Sequence, residues 1–283
     1  MPDTLPLLEV LRATERYLAD RGVDNPRLNA EHLLAHALGL KRMELYLQFD
    51  RPLGETERAP LRDLVKRRGA REPLQHILGT VEFHRHTFAC DKRALVPRPE
   101  TEQLVEMAID FAKNKPDSAI LDIGTGSGVI ALTLALALPG ASVHATDLST
   151  AALTLAAENA ARHGLGDRIL FTQADLLPPD ETRFDLIIAN LPYIATDEIA
   201  ALSPEVRHDP ASSLDGGPDG LDLIRRLVDS APGRLAPGGA ILLEIGAGQA
   251  DAVNTHLAAR KFRDISIRSD YQNIPRFAVG LHG

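Results

Sequence analysis

The sequence predicts a doubly wound, mostly parallel seven-stranded α/β sheet, preceded by a small N-terminal helical bundle and a linking β-hairpin. Three observations carry this. From Ala119 onward, short apolar runs alternate with longer segments of helix-forming residues, the pattern of strands joined by crossover helices. A strand, a glycine turn and a helix follow one another in Ile120-Leu121-Asp122-Ile123-Gly124-Thr125-Gly126-Ser127-Gly128-Val129. The first 79 residues read only as helices joined by short turns. The expected domains are residues 1–79, a helical bundle; 80–100, a hairpin linker; and 101–283, the α/β domain.

In the helical part, Thr4 is placed to cap a helix whose apolar side is Leu8, Leu11 and Leu18. Asn25 is placed to cap a second that starts at Pro26, buries Leu33, Leu34, Ala37 and Leu38, and stops at Gly39. A third runs from about Met43 to Gln48, and a fourth from about Glu57 to Arg68, burying Leu61, Leu64 and Val65 before Gly69. Lys66-Arg67-Arg68 with Arg71 is read as a solvated face complementing that helix's C-terminus. His32 and His36 stand one helical turn apart, but Leu33 takes the place where a zinc-protease helix carries Glu, so no metal is expected.

The composition changes at Gly79. Val81-Glu82-Phe83 and Thr87-Phe88-Ala89-Cys90 have the character of two hairpin strands, with His84-Arg85-His86 at the turn. In Pro97-Arg98-Pro99-Glu100-Thr101-Glu102 the prolines stiffen an extended segment, and Pro99 with the two acids starts a helix running to about Lys113. Helix initiation does not explain why Arg98 is held between two prolines. Beyond it, strands are expected near 119–123, 142–146, 169–172, 184–189 and 240–245, with helices near 129–138, 150–163, 219–235 and 249–260. Ile265–Ser269 and Arg276–Leu281 have no helix between them, so they are expected to pair and add an antiparallel strand.

Gly124, Gly126 and Gly128 let the chain take positive φ and let a ligand approach closely, while the first free N–H groups of the following helix point into the same space. Val129 stands where a dinucleotide-binding fingerprint has its third glycine, so this is not the dehydrogenase spacing. Asp147 ends the second strand about 20 residues on, where an acidic side chain accepts from ribose hydroxyls. An acidic turn repels phosphate but tolerates a sulfonium and an amino acid. The pair Asp122 and Asp147 resembles the S-adenosylmethionine site of class I methyltransferases.

At 283 residues, 44% hydrophobic and 25% charged, the composition is that of an ordinary globular chain. A single cysteine excludes an internal disulfide, and the N-terminus lacks a signal-peptide core, so a cytoplasmic protein is expected. The longest apolar run, Val129–Leu138, is too short to span a bilayer, and no membrane partner is expected. Net charge is −8, divided as +1 over residues 1–80 and −9 over the remainder. With no Trp and 4% aromatic residues, that balance argues against stable nucleic-acid binding.

The fourth strand runs directly into Asn190-Leu191-Pro192-Tyr193. Ligands in open α/β sheets bind beyond the carboxyl ends of strands, so Asn190 should share a crevice with Gly124 and Asp147. A planar, conjugated nitrogen is a poor nucleophile, and an enzyme that alkylates one gains rate mainly by positioning it. The Asn190 side-chain oxygen and the Leu191 carbonyl can accept both N–H groups of an NH₂, and the Tyr193 ring can cover its flat face. Pro192 keeps Leu191 extended.

With these residues in view the chain closely resembles the bacterial peptide chain release factor glutamine methyltransferases over nearly its whole length. The shared stretches include Pro26-Arg27-Leu28-Asn29-Ala30-Glu31-His32-Leu33-Leu34, Glu72-Pro73-Leu74-Gln75-His76-Ile77-Leu78-Gly79 and Pro97 to Glu102. The resemblance implies a Rossmann-like methyltransferase fold. It also implies methyl transfer from S-adenosylmethionine to the glutamine side chain in the Gly-Gly-Gln motif of class I release factors. It assigns Gly124, Thr125, Gly126, Ser127 and Gly128 to the cofactor's amino-acid moiety, Asp147 to its ribose, and Asp175 with Leu176 to its adenine. Asn190, Leu191, Pro192 and Tyr193 hold the glutamine, with Asn190 also beside the cofactor. Leu191 replaces the family's usual second proline, which brings the tetrapeptide closer to that of ribosomal RNA adenine dimethyltransferases. The competing readings are therefore a nucleic-acid adenine N-methyltransferase and a non-enzymatic binding module.

Overall fold

The computed structural model describes residues 4–283, which form two units. The first comprises the chain up to Gly79 together with Ser203–His208, and the second comprises Thr80–Leu202 and Asp209–Gly283.

In the first unit, β1 (Leu5–Pro6) leads into α1 (Leu7–Ala19), followed by α2 (Pro26–Leu38), a 3₁₀ turn (Arg42–Leu47), β2 (Pro52–Leu53), α3 (Glu55–Gly69) and α4 (Leu74–Leu78). Thr4 does not cap α1. Leu5 and Pro6 pair with Leu53 and Pro52, and the N–H groups of Leu7 and Leu8 donate to the carbonyls of Arg51 and Phe49, so backbone serves the helix start. Asn25 precedes α2 in a left-handed conformation and makes no side-chain cap. Leu8, Ala37, Leu38 and Leu64 are only partly buried, the core being built on Leu7, Leu11, Leu18, Leu33, Leu34 and Leu61.

Only half of the basic cluster is a solvated face: Lys66 and Arg67 are exposed, whereas Arg68 and Arg71 turn inward. Arg68 is 5% exposed, donating to Asn29 Oδ1 at 2.8 Å and to Glu205 Oε1 at 2.9 Å. Arg71 donates to both oxygens of Glu205, at 2.5 and 2.7 Å. Burial of a guanidinium is tolerable because a carboxylate from a distant part of the chain meets it.

The second unit opens with the hairpin β3 (Thr80–Phe83) and β4 (His86–Ala89). Only His84 and Arg85 form its turn, both at positive φ, and His86 belongs to the strand. The stretch 80–100 lies inside this unit rather than between two units. Phe83, Phe88 and Val96 are buried in the main core, and Asn159 bonds both backbone groups of Ala89.

Next come α5 (Pro99–Ala112), β5 (Ala119–Ile123), α6 (Val129–Ala137), β6 (Ser142–Asp147), α7 (Thr150–Arg162), β7 (Ile169–Gln173), β8 (Phe184–Ala189), α8 (Asp222–Ser230), β9 (Leu235–Glu244), α9 (Ala250–Ala259), β10 (Arg263–Ser269) and β11 (Pro275–Leu281). The seven-stranded sheet has the order β10-β11-β9-β8-β5-β6-β7, with β11 antiparallel to β9 and β10 and every other pairing parallel. Alternate residues feed two cores, Ile120, Leu186 and Ile188 packing with α5 and α6, and Leu121, Ile187 and Leu243 with α8 and α9. The helix expected over 219–235 is confined to α8, because Pro232 sits in a separate 3₁₀ turn at Ala231–Gly233 and β9 begins at Leu235. Among the described residues no helix is long and apolar enough to cross a membrane.

Candidate active site

Strand register builds the site. Ile123 pairs with Thr146 on one side and Ala189 on the other, so Gly124, Asp147 and Asn190 leave the sheet side by side at its carboxyl edge. Ala189 pairs in turn with Leu243, which brings Glu244 next to Asn190. These ends border a cavity of about 340 Å³, within the range of small-molecule sites. Its walls come entirely from the second unit.

Gly124 and Gly126 line the cavity at φ of 70° and 56°, with Thr125 and Ser127 between and after them. The N–H groups of Gly124 and Thr125 both donate to the Thr146 carbonyl at 2.9 Å, which bends the turn over the end of β6. Gly128 is not part of the wall. It has a φ of 84°, and a Cβ there would meet Leu132 Cδ1 at 2.9 Å and Ala156 Cβ at 3.0 Å. The third glycine therefore serves the close approach of α6 and α7.

Asp122 also stands apart from the cavity. It has no exposed surface, and its Oδ2 accepts from Thr125 Oγ1 at 2.6 Å and from the Ala131 N–H at 3.2 Å. Burial raises its carboxyl to about 7. Asp122 braces the turn from beneath, and the acidic character of the cavity itself rests on Asp147 and Asp175.

Asp147 is pinned at the opening, Oδ2 accepting from the Gly126 N–H at 2.9 Å and Oδ1 from the Ser149 N–H at 2.8 Å. Each oxygen keeps further acceptor capacity. Leu148, beside it, is 66% exposed and forms apolar wall, a position that sequence periodicity gave no reason to single out. Asp175 and Leu176 also line the cavity. Leu176 is held at a φ of 70°, its carbonyl accepting from Thr146 Oγ1 at 2.6 Å, and Asp175 pairs with Arg226 at 2.7 Å.

Asn190, Leu191 and Pro192 complete the wall. Leu191 is 4% exposed and packs over the glycine turn, where a Cβ on Gly124 would lie 3.1 Å from its Cδ2. Asn190 Nδ2 donates to Thr101 Oγ1 at 3.0 Å. Tyr193 is not brought to the cavity wall. Its ring lies against Gly246, its carbonyl accepts from Gln249 Nε2 at 2.9 Å, and burial raises its hydroxyl to about 12. Arg98 and Thr101, from the stiff proline segment and the first turn of α5, form part of the wall, as do Pro210, Ser212 and Ser213. Among the described residues there is no cluster of three His, Cys, Asp or Glu side chains able to hold a metal ion.

Sheet order, the glycine turn and the cavity at the carboxyl edge define a Rossmann-like methyltransferase, and residues 120–208 match a family model described as a methyltransferase domain. The fold is similar to that of the ribosomal protein L11 methylase of Lactobacillus delbrueckii subsp. bulgaricus, with a TM-score of 0.50 and 25% identity over 66% of this chain and 81% of that one. Residues 9–79 match the model of the PrmC N-terminal domain. The release factor glutamine methyltransferase of Geobacter sulfurreducens is 45% identical over 100% of this chain and 99% of its own length, and that of Deinococcus radiodurans 41% identical over 96% and 97%. The chain belongs to the release factor glutamine methyltransferase family.

Proposed function

We propose that the cavity binds S-adenosylmethionine and that the enzyme methylates the side-chain amide nitrogen of the glutamine in the Gly-Gly-Gln motif of class I peptide chain release factors. The observation that carries this reading is the Asn190 amide, tied to Thr101 at the wall of a cavity that also holds the glycine turn and Asp147.

The donor set fits the cofactor. Asp147, already oriented by two backbone N–H groups, has lone pairs left for two ribose hydroxyls. Leu148 and Leu176 offer apolar contact to a flat base, with Asp175 at its edge. The turn from Gly124 to Ser127 leaves room for an amino-acid group, Gly128 supporting it from behind. When bound, S-adenosylmethionine supplies an electrophilic methyl carbon on a sulfonium.

The chain's own task is to prepare the acceptor. Asn190 Oδ1 and the Leu191 carbonyl accept the two N–H groups of the glutamine amide, so the NH₂ cannot rotate and its residual lone pair is directed along one line. Pro192 holds Leu191 extended, which keeps that carbonyl available. Tyr193 supports the tetrapeptide from the Gly246 side. No strong base is needed, because the nitrogen loses its proton after it has gained the methyl group.

Residues 1–79 recognise the body of the release factor, since a single glutamine offers too little surface for selectivity. Leu28, Met43, Tyr46 and Leu47 are 42%, 64%, 42% and 86% exposed on this unit, and exposed large apolar side chains favour a protein partner over nucleic acid. Residues 101–283 carry the chemistry, with the 80–100 hairpin leading into them. The enzyme acts in the cytoplasm, with no membrane partner. The test is incubation of the purified enzyme with labelled S-adenosylmethionine and either a release factor or ribosomal RNA. Label is expected on the Gly-Gly-Gln glutamine, and label in RNA alone would overturn this reading in favour of adenine methylation.

A further inference from the structure

Thr101 and Glu244 are separated by 143 positions and meet beside Asn190. Thr101 is the third residue of α5, and Glu244 is the last of β9, on the strand adjacent to the one that delivers Asn190. Thr101 Oγ1 donates to Glu244 Oε2 at 2.8 Å, and Asn190 Nδ2 donates to Thr101 Oγ1 at 3.0 Å. Both partners are buried, Thr101 3% and Glu244 2% exposed.

The direction of this chain follows from chemistry. When Glu244 is ionised it can only accept, so the one hydroxyl hydrogen of Thr101 is committed to it, as in the contact the structure shows. The lone pair left on Oγ1 must then receive an N–H, which compels Asn190 to turn its NH₂ toward α5. Its Oδ1 points the other way, and among the described residues no protein donor reaches it. Without the relay the two ends of the amide are nearly isosteric and would exchange. The exchanged form would present NH₂ where the substrate's own NH₂ must be accepted. Burying a carboxylate is costly, and here burial raises it to about 7 against the opposing pull of Thr101, Arg276 and Asn190. The sheet does not need it, since backbone bonds alone pair β9 with β8 and β11.

We propose that Thr101 and Glu244 are positioning residues for methyl transfer, a hydrogen-bond relay that locks the Asn190 side chain in the one orientation able to accept the substrate amide. The inference rests on the reading of Asn190 as the group that holds the glutamine. It also gives the Pro97–Glu102 segment a purpose beyond starting a helix, namely to set α5 where its third residue reaches Asn190.

Thr101→Val preserves shape and removes the hydroxyl, and Thr101→Ser restores it. Turnover on a whole release factor, KM for the factor, calorimetric affinity for S-adenosylmethionine and the thermal unfolding midpoint are measured for both variants and for Asn190→Ala. Thr101→Val is expected to lower kcat about 10- to 100-fold with cofactor affinity near wild type and a folded but less stable chain, since Glu244 loses a buried hydrogen bond, and Thr101→Ser to recover kcat to within about threefold. Unchanged kcat in Thr101→Val, failure of Thr101→Ser to recover it, or a parallel loss of cofactor affinity would each overturn the relay. If Asn190→Ala abolishes turnover while Thr101→Val does not, only the relay fails. If Asn190→Ala turns over normally, the reading of the site fails with it.

Discussion

Arg98 Nη2 lies 2.6 Å from Oδ2 of Asp209, a carboxylate whose side chain has no exposed surface. The other carboxylate oxygen accepts from the Val96 N–H at 3.2 Å. The two prolines around Arg98 fix the backbone from which the guanidinium reaches inward, and the pair ties the entry to α5 to the loop that resumes the second unit at Asp209. Arg98→Ala leaves that buried carboxylate with less compensation, and the expected loss of stability is on the order of 2–3 kcal/mol. Urea unfolding of the full chain measures it, and a variant as stable as wild type would show that the pair has no structural part.

Asn190→Asp keeps the size of the side chain and removes its donor. A carboxylate oxygen would then face Thr101 Oγ1, whose hydrogen is already given to Glu244, and would add negative charge near the sulfonium, stabilising the charged ground state more than the transition state. Turnover should fall about 10²- to 10³-fold with cofactor affinity retained. Near-normal turnover would show that the amide clamp is not what prepares the acceptor.

Gly128→Ala strains a residue at a φ of 84° and pushes a methyl into Ala156 and Leu132. The expected cost is about 2–4 kcal/mol. The second substitution Ala156→Gly should return part of it, because it removes the nearer backbone-fixed obstacle. A destabilisation that Ala156→Gly does not relieve would assign the cost to the positive φ and not to packing against Ala156.

Leu47→Asp puts a charge on the most exposed large apolar residue of the helical unit without touching its core. KM for an intact release factor should rise about tenfold or more, while methylation of a short Gly-Gly-Gln peptide stays unchanged. Equal effects on both substrates would remove this surface from recognition.

Glu205 carries a pH prediction. Burial pushes its carboxyl up, but hydrogen bonds from Arg71 and Arg68 prevail and hold it at about 2, below the ordinary 4.5. A depressed carboxylate contributes stability that is complete above the ordinary value and lost as pH falls toward 2. At pH 7, Glu205→Gln should cost on the order of 2–3 kcal/mol, and the gap to wild type should narrow as pH falls below about 4. Urea titrations at pH 7 and at the lowest pH where the protein stays folded decide this, and a gap independent of pH would mean that the arginines do not stabilise the ionised form.

What the chain order alone made legible was whatever neighbouring residues enforce on one another. Gly124 to Gly128 had to be a turn, the runs at Ala119–Ile123 and Phe184–Ala189 had to be buried strands, and Asn190 had to emerge at a carboxyl edge, because glycine conformation, apolar periodicity and the rule of parallel strands act over a few residues. Tertiary structure decided everything that depends on which distant groups meet. Thr4 lost its capping role to carbonyls at Phe49 and Arg51, Arg68 became buried because Glu205 comes back to it, and Gly128 proved to be a packing residue because Ala156 stands opposite. The same holds at the site. Asn190 and Thr101 were both visible as polar residues in notable motifs, but the orientation of the Asn190 amide is set by Glu244, and the contact exists only because the register of β8 on β9 and the placement of α5 bring three separated segments together. Side-chain hydrogen bonds of that kind have no period in the sequence, since their partners are chosen by the folded sheet and not by the residues beside them.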